Sequence, residues 1–456
     1  MKTDFFKDKK VTVMRIGLLG RGVGDTKYLA EAGAEILVVD SAPQEQMQAS
    51  VDALAEYGNV SFKFGPYDFV DFKDADFVLV GAGAPIDEPV LVKCREAGVP
   101  LKQSAALFAE LATIPVIGVT GTRGKSTVTH MIHHVLSVVT GEEVLLGGNI
   151  RGVSNLQLLK DVKEDSLAVM ELDSWQLQGW GWSEMSPQIA VFTNFMEDHL
   201  NYYEQNGRSR EEAMKIYFAD KANIFKYQEE SGTLITTPEI FKRAKSLENM
   251  SLGQEVVLID GSEFPEDAHL SMPGEHNRIN AALATAALKA VSLTEEEIFE
   301  GLASFSGVPG RMEYLGDHNG VSIYNDNNAT TPQAAIAGLK AVGDETKRNV
   351  VLLAGGAYKE VDPAPLVEYI NQYCRAVFLL LGTGTDRLAP LLDKTVAAGI
   401  HVEQVETMYG GIASSFSVAE PGDVLLFSPG FASFGMFVNE YDRNDQFVAA
   451  VNEVSK

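Results

Sequence analysis

An apolar run, Ile114-Pro-Val-Ile-Gly-Val-Thr120, passes straight into Gly121-Thr122-Arg123-Gly124-Lys125-Ser126-Thr127, and this junction restricts the fold more tightly than any other stretch. The run reads as a buried strand, and the glycines as a turn into a helix that begins at Lys125. Strand, glycine loop and helix N-terminus together aim backbone N–H groups at one point, a ready cradle for phosphate oxygens. In such a loop the Lys125 ammonium reaches the β- and γ-phosphates and the Ser126 hydroxyl ligates Mg2+. The spacing departs from strict GxxxxGK: Val119 stands where the first glycine belongs, Gly118 is one residue early, and Gly121 lies inside the loop. A plain strand-to-helix turn competes, but Gly-Lys-Ser-Thr in this setting has few structural uses.

On either side, short β-rich runs alternate with helix-like segments, the pattern of parallel sheets with crossover helices. Before the loop, strands are expected at Val11–Leu19, Ala34–Asp40, Val60–Phe64 and Asp76–Gly81. Helices are expected after Gly24, around Gln44–Tyr57 and around Glu88–Gly98. The first turn, Gly17-Leu-Leu-Gly20-Arg21-Gly22-Val-Gly24, invites a dinucleotide reading, yet its spacing is not GxGxxG, so a nucleotide-like ligand fits better than NAD. After the loop come strands Leu167–Leu172 and Gln188–Thr193 and an alanine-rich helix Ala281–Ala290. A third α/β region follows, with strands Val321–Tyr324, Val350–Ala354, Val377–Leu381 and Val424–Phe427. A chain of 456 residues exceeds one core; roughly three domains of 100–200 residues are expected.

A net charge of −26 argues against nucleic acid as a partner, because phosphate-backbone binding needs a basic face, without excluding small anions held locally. No leader-like segment or apolar stretch of about 20 residues is seen, which argues against membrane insertion. Cys94 and Cys374 stand far apart in apolar surroundings without metal-ligand spacing; they read as buried thiols of a reducing, cytoplasmic protein. Two strand ends carry groups able to hold a metal: Glu171 in Met170-Glu-Leu-Asp-Ser174, and His199 in Thr193-Asn-Phe-Met-Glu-Asp-His199. In a parallel sheet both face the ligand crevice.

These segments, with Gly274-Glu-His-Asn-Arg-Ile-Asn280, Gly310-Arg311, Tyr324-Asn-Asp326, Gly355-Gly-Ala-Tyr-Lys359 and Ser428-Pro-Gly-Phe-Ala-Ser433, form an ordered series. The series resembles the Mur ligases of peptidoglycan synthesis over essentially the whole chain. The resemblance implies three α/β domains: a Rossmann-like domain at 1–112 for the UDP end of the substrate, a central P-loop ATPase domain at 113–314, and a Rossmann-like C-terminal domain at 315–456 for the amino acid. It implies a monomeric enzyme that activates the carboxylate of UDP-N-acetylmuramoyl-L-alanine as an acyl phosphate and passes it to glutamate, D-glutamate being expected over L-glutamate.

The resemblance also implies roles. Gly121, Thr122, Arg123, Gly124, Lys125, Ser126, Thr127, Asn277, Asn280, Arg311 and Asp326 would bind ATP. Ser126, Glu171, His199 and Lys221, the last as a carbamate, would hold two Mg2+ ions; Lys125, Lys221, His199 and Glu171 form the catalytic set. Gly20, Arg21 and Asp40 would bind the UDP end, Asn149, Ser174 and Gln176 the muramoyl-alanine, and Lys359, Ser433 and Phe434 the incoming glutamate. Read without the resemblance, Lys221 is an ordinary helix-surface lysine, Ser433 a helix cap, Phe434 a core residue and Lys359 a solvated loop residue. Asn328 replaces the family's lysine after the Asn-Asp pair, and Glu440 stands near where an aromatic residue lines the pocket; Arg123 and Arg151 are unusual and could restore positive charge. Two alternatives remain: a folylpolyglutamate synthase, which lacks the UDP-binding domain, and a P-loop regulatory switch, for which neither an NKxD nor a switch-like DxxG motif is present.

Overall fold

The computed structural model describes residues 5–17, 20–85, 87–141, 143–247, 254–265, 268–270, 272, 274–359 and 361–454. There the strand–helix alternation resolves into three sheets. The first contains β1 (Lys10–Met14), β2 (Glu35–Asp40), β3 (Val60–Phe64), β4 (Phe77–Val80) and β5 (Leu101–Lys102), all parallel, in the order β3-β2-β1-β4-β5. That is a Rossmann-like winding, with helices crossing between parallel neighbours. The second holds β6 (Val116–Thr120), β7 (Leu145–Gly148), β8 (Ala168–Glu171), β9 (Ile189–Phe192), β10 (Thr233–Thr236) and β11 (Glu255–Leu258), parallel in the order β11-β10-β9-β6-β8-β7. The third holds β12 (Glu313–His318), β13 (Val321–Asn325), β14 (Val350–Gly355), β15 (Cys374–Leu380), β16 (His401–Val405) and β17 (Val424–Phe427), ordered β12-β13-β17-β14-β15-β16. Only β12 in this sheet is antiparallel, pairing with β13 at the edge.

The central strands are apolar along their length because both faces of each sheet are covered. β6, β8, β14 and β17 are buried at every residue, and β9 at every residue but Ile189. In the third sheet the two-residue period sorts side chains between two cores: Val350, Leu352 and Ala354 join one, Val351 and Leu353 the other. The edge strands β11 and β16 are short and only partly buried, and β16 is interrupted by polar residues, so neither gave a strand signal. The first helix starts at Arg21, earlier than expected, because Gly20 at φ +81° supplies the left-handed turn that begins it. The first strand ends at Met14; Leu18 and Leu19, expected within it, lie outside the described residues. The alanine-rich helix begins at Glu275, so Glu275–Asn280 of the motif belong to the helix and not to a preceding loop. Cys94 and Cys374 are both buried free thiols.

The chain separates into two compact units, one of Met1–Asp267 with Ile279–Leu302 and one of Ala268–Arg278 with Ala303–Lys456. The first unit carries the first two sheets, the second unit the third sheet. Within the first unit a buried carboxylate pins the two sheets together. Asp25, in helix Arg21–Glu31, accepts from Ser154 Oγ at 2.6 Å and from the Leu156 backbone N–H at 3.0 Å. Gln157 Nε2 donates to the Gly24 carbonyl at 3.1 Å beside it. Burial raises the Asp25 pKa, opposed by the hydrogen bonds from Ser154 and Leu156. Among the described residues no helix is long and apolar enough to cross a membrane.

Asp25→Ala leaves the Ser154 hydroxyl and Leu156 N–H without an acceptor, and each orphaned buried donor costs about 1–3 kcal/mol. Calorimetry is expected to show a lowered first unfolding transition with the transition of the second unit unmoved; an unchanged first transition would remove this pin from the account.

Candidate functional site

β6 delivers the glycine loop to the carboxyl edge of the second sheet, where the exit of its neighbour β9 receives it. Gly121 has φ +148°, and a Cβ there would collide with Thr193 Oγ1. Gly124, at φ +81°, starts helix Lys125–Thr140, and its Cβ would lie 2.5 Å from Asn280 Oδ1. The loop is then clamped by the segment after β9. Thr122 N donates to the Asn194 carbonyl at 2.9 Å, Arg123 N to Asn194 Oδ1 at 2.8 Å, and Thr193 Oγ1 to the Arg123 carbonyl at 2.5 Å. Lys125 Nζ donates back to the carbonyls of Gly121 and Thr122 at 3.0 and 3.1 Å, and Ser126 and Thr127 are buried at the helix start.

Lys221 is where the structure most changes the residue-level reading. It is 1% exposed, not a surface lysine, and its Nζ donates to the Gly121 carbonyl at 2.7 Å. Thr120 Oγ1 lies 3.4 Å away and the Tyr217 ring centre 5.1 Å away. A signal for this burial was present in helix Arg210–Lys226: Tyr217, Phe218, Ile224 and Phe225 stand at i−4, i−3, i+3 and i+4 to Lys221, all on one buried face. Burial, reinforced by the Lys125 charge, holds the Lys221 ammonium well below the usual lysine pKa, against the pull of Asp173, Asp198 and Glu171. The adjacent Asp220 faces a different set, accepting from Gln178 Nε2 at 2.8 Å and the Tyr203 hydroxyl at 3.0 Å; burial pushes its pKa up to about 6.

Glu171, at the end of β8, is buried and accepts from Asn149 Nδ2 at 3.1 Å, while Asn149 Oδ1 accepts from Arg21 at 2.7 Å. His199, at φ +54°, lies with its ring 4.7 Å from Trp175, itself packed against Gly83. Burial lowers the His199 pKa; Asp198 opposes this, whereas Lys125 and Lys221 add to it. Asp173 and Asp198 therefore belong to the electrostatic neighbourhood of Lys221 and His199, although the motif reading passed them over. Among the described residues no three His, Cys, Asp or Glu side chains converge as a ready metal cage.

A cavity of about 190 Å³ opens beside the first turn, lined among others by Arg15, Gly17, Arg21, Asp25, Gln103 and Gln176. Arg15 was not expected here; its guanidinium donates to the Gly83 carbonyl at 2.9 Å. Gln176 shares its cavity position with a capping box, its backbone N–H donating to Asp173 Oδ1 at 2.8 Å. Ser174 is buried at the start of the same helix. Gly20 and Asp40 do not line the cavity; Asp40 ends β2 and accepts from Ala42 N at 3.0 Å. Arg123 and Arg151 are exposed.

In the second unit, Asp326 follows β13 with its Oδ2 accepting from Ser428 Oγ at 2.9 Å, and burial pushes its pKa up to about 7. Arg311 is exposed nearby and lowers that value by its charge. Lys359 Nζ donates to Thr330 Oγ1 at 3.1 Å. Ser433 is buried, whereas Phe434 is 61% exposed and not core. Asn277 is buried in the first turn of its helix. Asn328 donates to the Pro309 carbonyl at 3.4 Å, and Glu440 opens helix Glu440–Val454.

A phosphate loop on a parallel sheet, with a buried amine beneath it and carboxylates around it, defines an ATP-using α/β enzyme. The chain belongs to the Mur ligase family. Residues 119–249 match the Mur ligase middle domain and residues 310–431 the Mur ligase glutamate ligase domain. The UDP-N-acetylmuramoylalanine–D-glutamate ligase of Geobacillus kaustophilus is 32% identical over 99% of each chain. The protein of the same name from Roseiflexus is 30% identical over 96% of this chain and 97% of its own. The solved structure of UDP-N-acetylmuramate–alanine ligase from Thermotoga maritima, 18% identical, superposes with a TM-score of 0.58 over 98% of this chain and 100% of that one. Folylpolyglutamate synthase from Mycobacterium tuberculosis, 15% identical with a TM-score of 0.53, covers 77% of this chain and 95% of its own.

A lysine whose folded pKa is depressed binds fewer protons folded than unfolded, so its contribution to stability rises with pH towards the unfolded value of about 10.4. In CO2-free buffer, wild-type stability relative to Lys221→Met is expected to rise with pH below that value, by at most about 1.4 kcal/mol per pH unit. Denaturation curves across neutral to alkaline pH measure this; parallel pH profiles would show that Lys221 titrates as a solvated lysine.

Proposed function

We propose that the protein uses ATP to join D-glutamate to UDP-N-acetylmuramoyl-L-alanine, as a cytoplasmic monomer serving peptidoglycan precursor assembly. The observation that carries this reading is the full-length likeness to ligases named for that reaction. The site's chemistry agrees with it. The family match supports ATP use, and the glycine loop with Lys125 supplies donors for its phosphates.

The domains would divide the work at residues 112/113 and 314/315, with the cavity of Arg15, Arg21 and Gln176 taking the UDP-linked substrate. A substrate carboxylate oxygen attacks the γ-phosphorus as the bond to ADP breaks. The glutamate amine then attacks the acyl carbon and loses a proton, the C–N bond forms, the C–O bond breaks, and phosphate leaves. Lys125 would offset charge on the transferring phosphoryl group, and positioning would supply most of the rate.

Ser126, Glu171, His199 and Lys221 as a carbamate would hold two Mg2+ ions, which when bound offset phosphate charge. The depressed pKa of Lys221 favours this modification, because the neutral amine is the form that reacts with CO2. Carbamoylation also removes the repulsion between two ammonium groups and leaves an anionic oxygen donor facing the phosphates. Asn277, Asn280, Arg311 and Asp326 would bind the nucleotide; Asn149 and Ser174 would contact the muramoyl-alanine. Lys359, Ser433 and Phe434 would receive glutamate, Lys359 pairing with a carboxylate and the exposed Phe434 ring covering the side chain.

Phosphate release from ATP, with each substrate omitted in turn, tests the reading. It is expected only with UDP-N-acetylmuramoyl-L-alanine and glutamate both present, with kcat/KM clearly higher for the D- than the L-enantiomer. A preference for L-glutamate would overturn the stereochemical assignment and leave the ligase chemistry standing. Lys125→Ala is expected to abolish turnover in a folded protein, and Lys221→Ala to be nearly inactive and partly restored by acetate. Wild-type turnover in either variant would remove that lysine from the catalytic set.

A further inference from the structure

Arg443 is a cation sealed in the second unit without an anion. It is 0% exposed, lies in helix Glu440–Val454, and makes no ion pair among the described residues. The enclosure pushes its pKa down to about 10, with Glu440 acting in the opposite direction, so the guanidinium stays charged at neutral pH. A buried charge is tolerated only where hydrogen bonds replace water. Among the described residues its acceptors belong to two loops: Nε donates to Asn327 Oδ1 at 2.8 Å, Nη2 to the Asn327 carbonyl at 2.8 Å, and Nη1 to the Phe431 carbonyl at 3.0 Å.

Those loops leave the carboxyl ends of two adjacent parallel strands, β13 and β17. The first carries Asp326, which the functional reading places at the nucleotide; the second carries Ser433, placed at the incoming amino acid. The loops are also joined at their starts, Asp326 N donating to the Phe427 carbonyl at 2.7 Å and Ser428 Oγ to Asp326 Oδ2 at 2.9 Å. Asn327 Nδ2 also donates to the Glu440 carbonyl at 2.9 Å, and Asn325 Nδ2 to Asn444 Oδ1 at 2.9 Å, so Glu440, Arg443 and Asn444 of the helix start hold Asn325 and Asn327. A planar fork meeting acceptors on both loops fixes their relative register, which a single-point ammonium does not.

We propose that Arg443 is a positioning residue that locks the Asp326 loop to the Ser433 loop, so that ATP and glutamate are presented together. This rests on the proposed ligase reading. Arg443 touches neither substrate; it acts through Asn327 and Phe431. Its loss therefore weakens two substrates at once and spares the third, whose cavity lies in the first unit.

The test is steady-state kinetics of the full chain with ATP, D-glutamate and UDP-N-acetylmuramoyl-L-alanine, first on the wild type. Wild-type protein that does not ligate these substrates sinks the functional reading itself, and the proposal with it. With an active wild type, Arg443→Lys and Arg443→Gln are expected to raise KM for both ATP and glutamate by tenfold or more, with KM for the UDP substrate within twofold of wild type. Asn327→Ala removes one acceptor and leaves Arg443 its two carbonyls, so it keeps the test open if the arginine variants fail to fold; it is expected to raise the same two KM values by a smaller factor. Methylguanidinium is expected to restore part of the lost affinity in Arg443→Ala. KM values that stay unchanged, that rise for all three substrates alike, or that rise for only one of ATP and glutamate would overturn the proposal.

Discussion

The contact on which the site depends is the one between a buried amine and the glycine loop. Lys221 Nζ donates to the Gly121 carbonyl from below the loop, while Lys125 Nζ donates to the same carbonyl. Two ammonium groups converging on one carbonyl are at odds unless something relieves them. Glu171, Asp173 and Asp198 supply part of that relief by charge, and the depressed Lys221 pKa supplies the rest by favouring the neutral amine. The site is thus built around an electrostatic tension that a nucleotide's phosphates, or an anionic modification of Lys221, would resolve. Strained or unfavourable arrangements of this kind concentrate where chemistry is done.

The first unit holds that tension in place through ordinary packing. β6 and β9 exchange hydrogen bonds into the loop itself, so the position of Thr122 and Arg123 follows from sheet register and not from loop flexibility. Helix Arg210–Lys226 presents Lys221 from an otherwise aromatic and aliphatic face, which excludes water from the amine. Farther out, the hydrogen bonds from Arg21 through Asn149 to Glu171 connect the cavity of the first sheet with the carboxylate at the end of β8. The cavity of the first sheet and the strand end that carries Glu171 therefore share one hydrogen-bonded network.

Much of this was legible in the chain, and the gaps have physical reasons. β3 and β17 fall on the expected residues because both are bounded by turn-forming neighbours and rich in β-formers. β7, β10 and β11 were missed: each is four residues long and lacks the longer apolar run that marked the expected strands, and only tertiary pairing makes it a strand. Lys221 was misread from its own chemistry, since lysine is rarely buried, although its i±3 and i±4 neighbours marked the apolar face. Phe434 was given core as its competing role on the same logic of residue type, and the structure leaves it in solvent. Asp25 and Arg443 carried no signal at all, because what distinguishes them is the partner each meets more than 100 positions away.

Carboxylate activation is the central step of the proposed reaction: the charge arrangement around Lys125 and Lys221 would serve a phosphoryl group moving to an acyl oxygen. The most direct measurement is isotope transfer. With UDP-N-acetylmuramoyl-L-alanine labelled by 18O in its terminal carboxylate, one labelled oxygen is expected in the inorganic phosphate released for each amide bond formed. Phosphate free of label, with amide formed at the normal rate, would contradict an acyl-phosphate intermediate and with it the role assigned to the site.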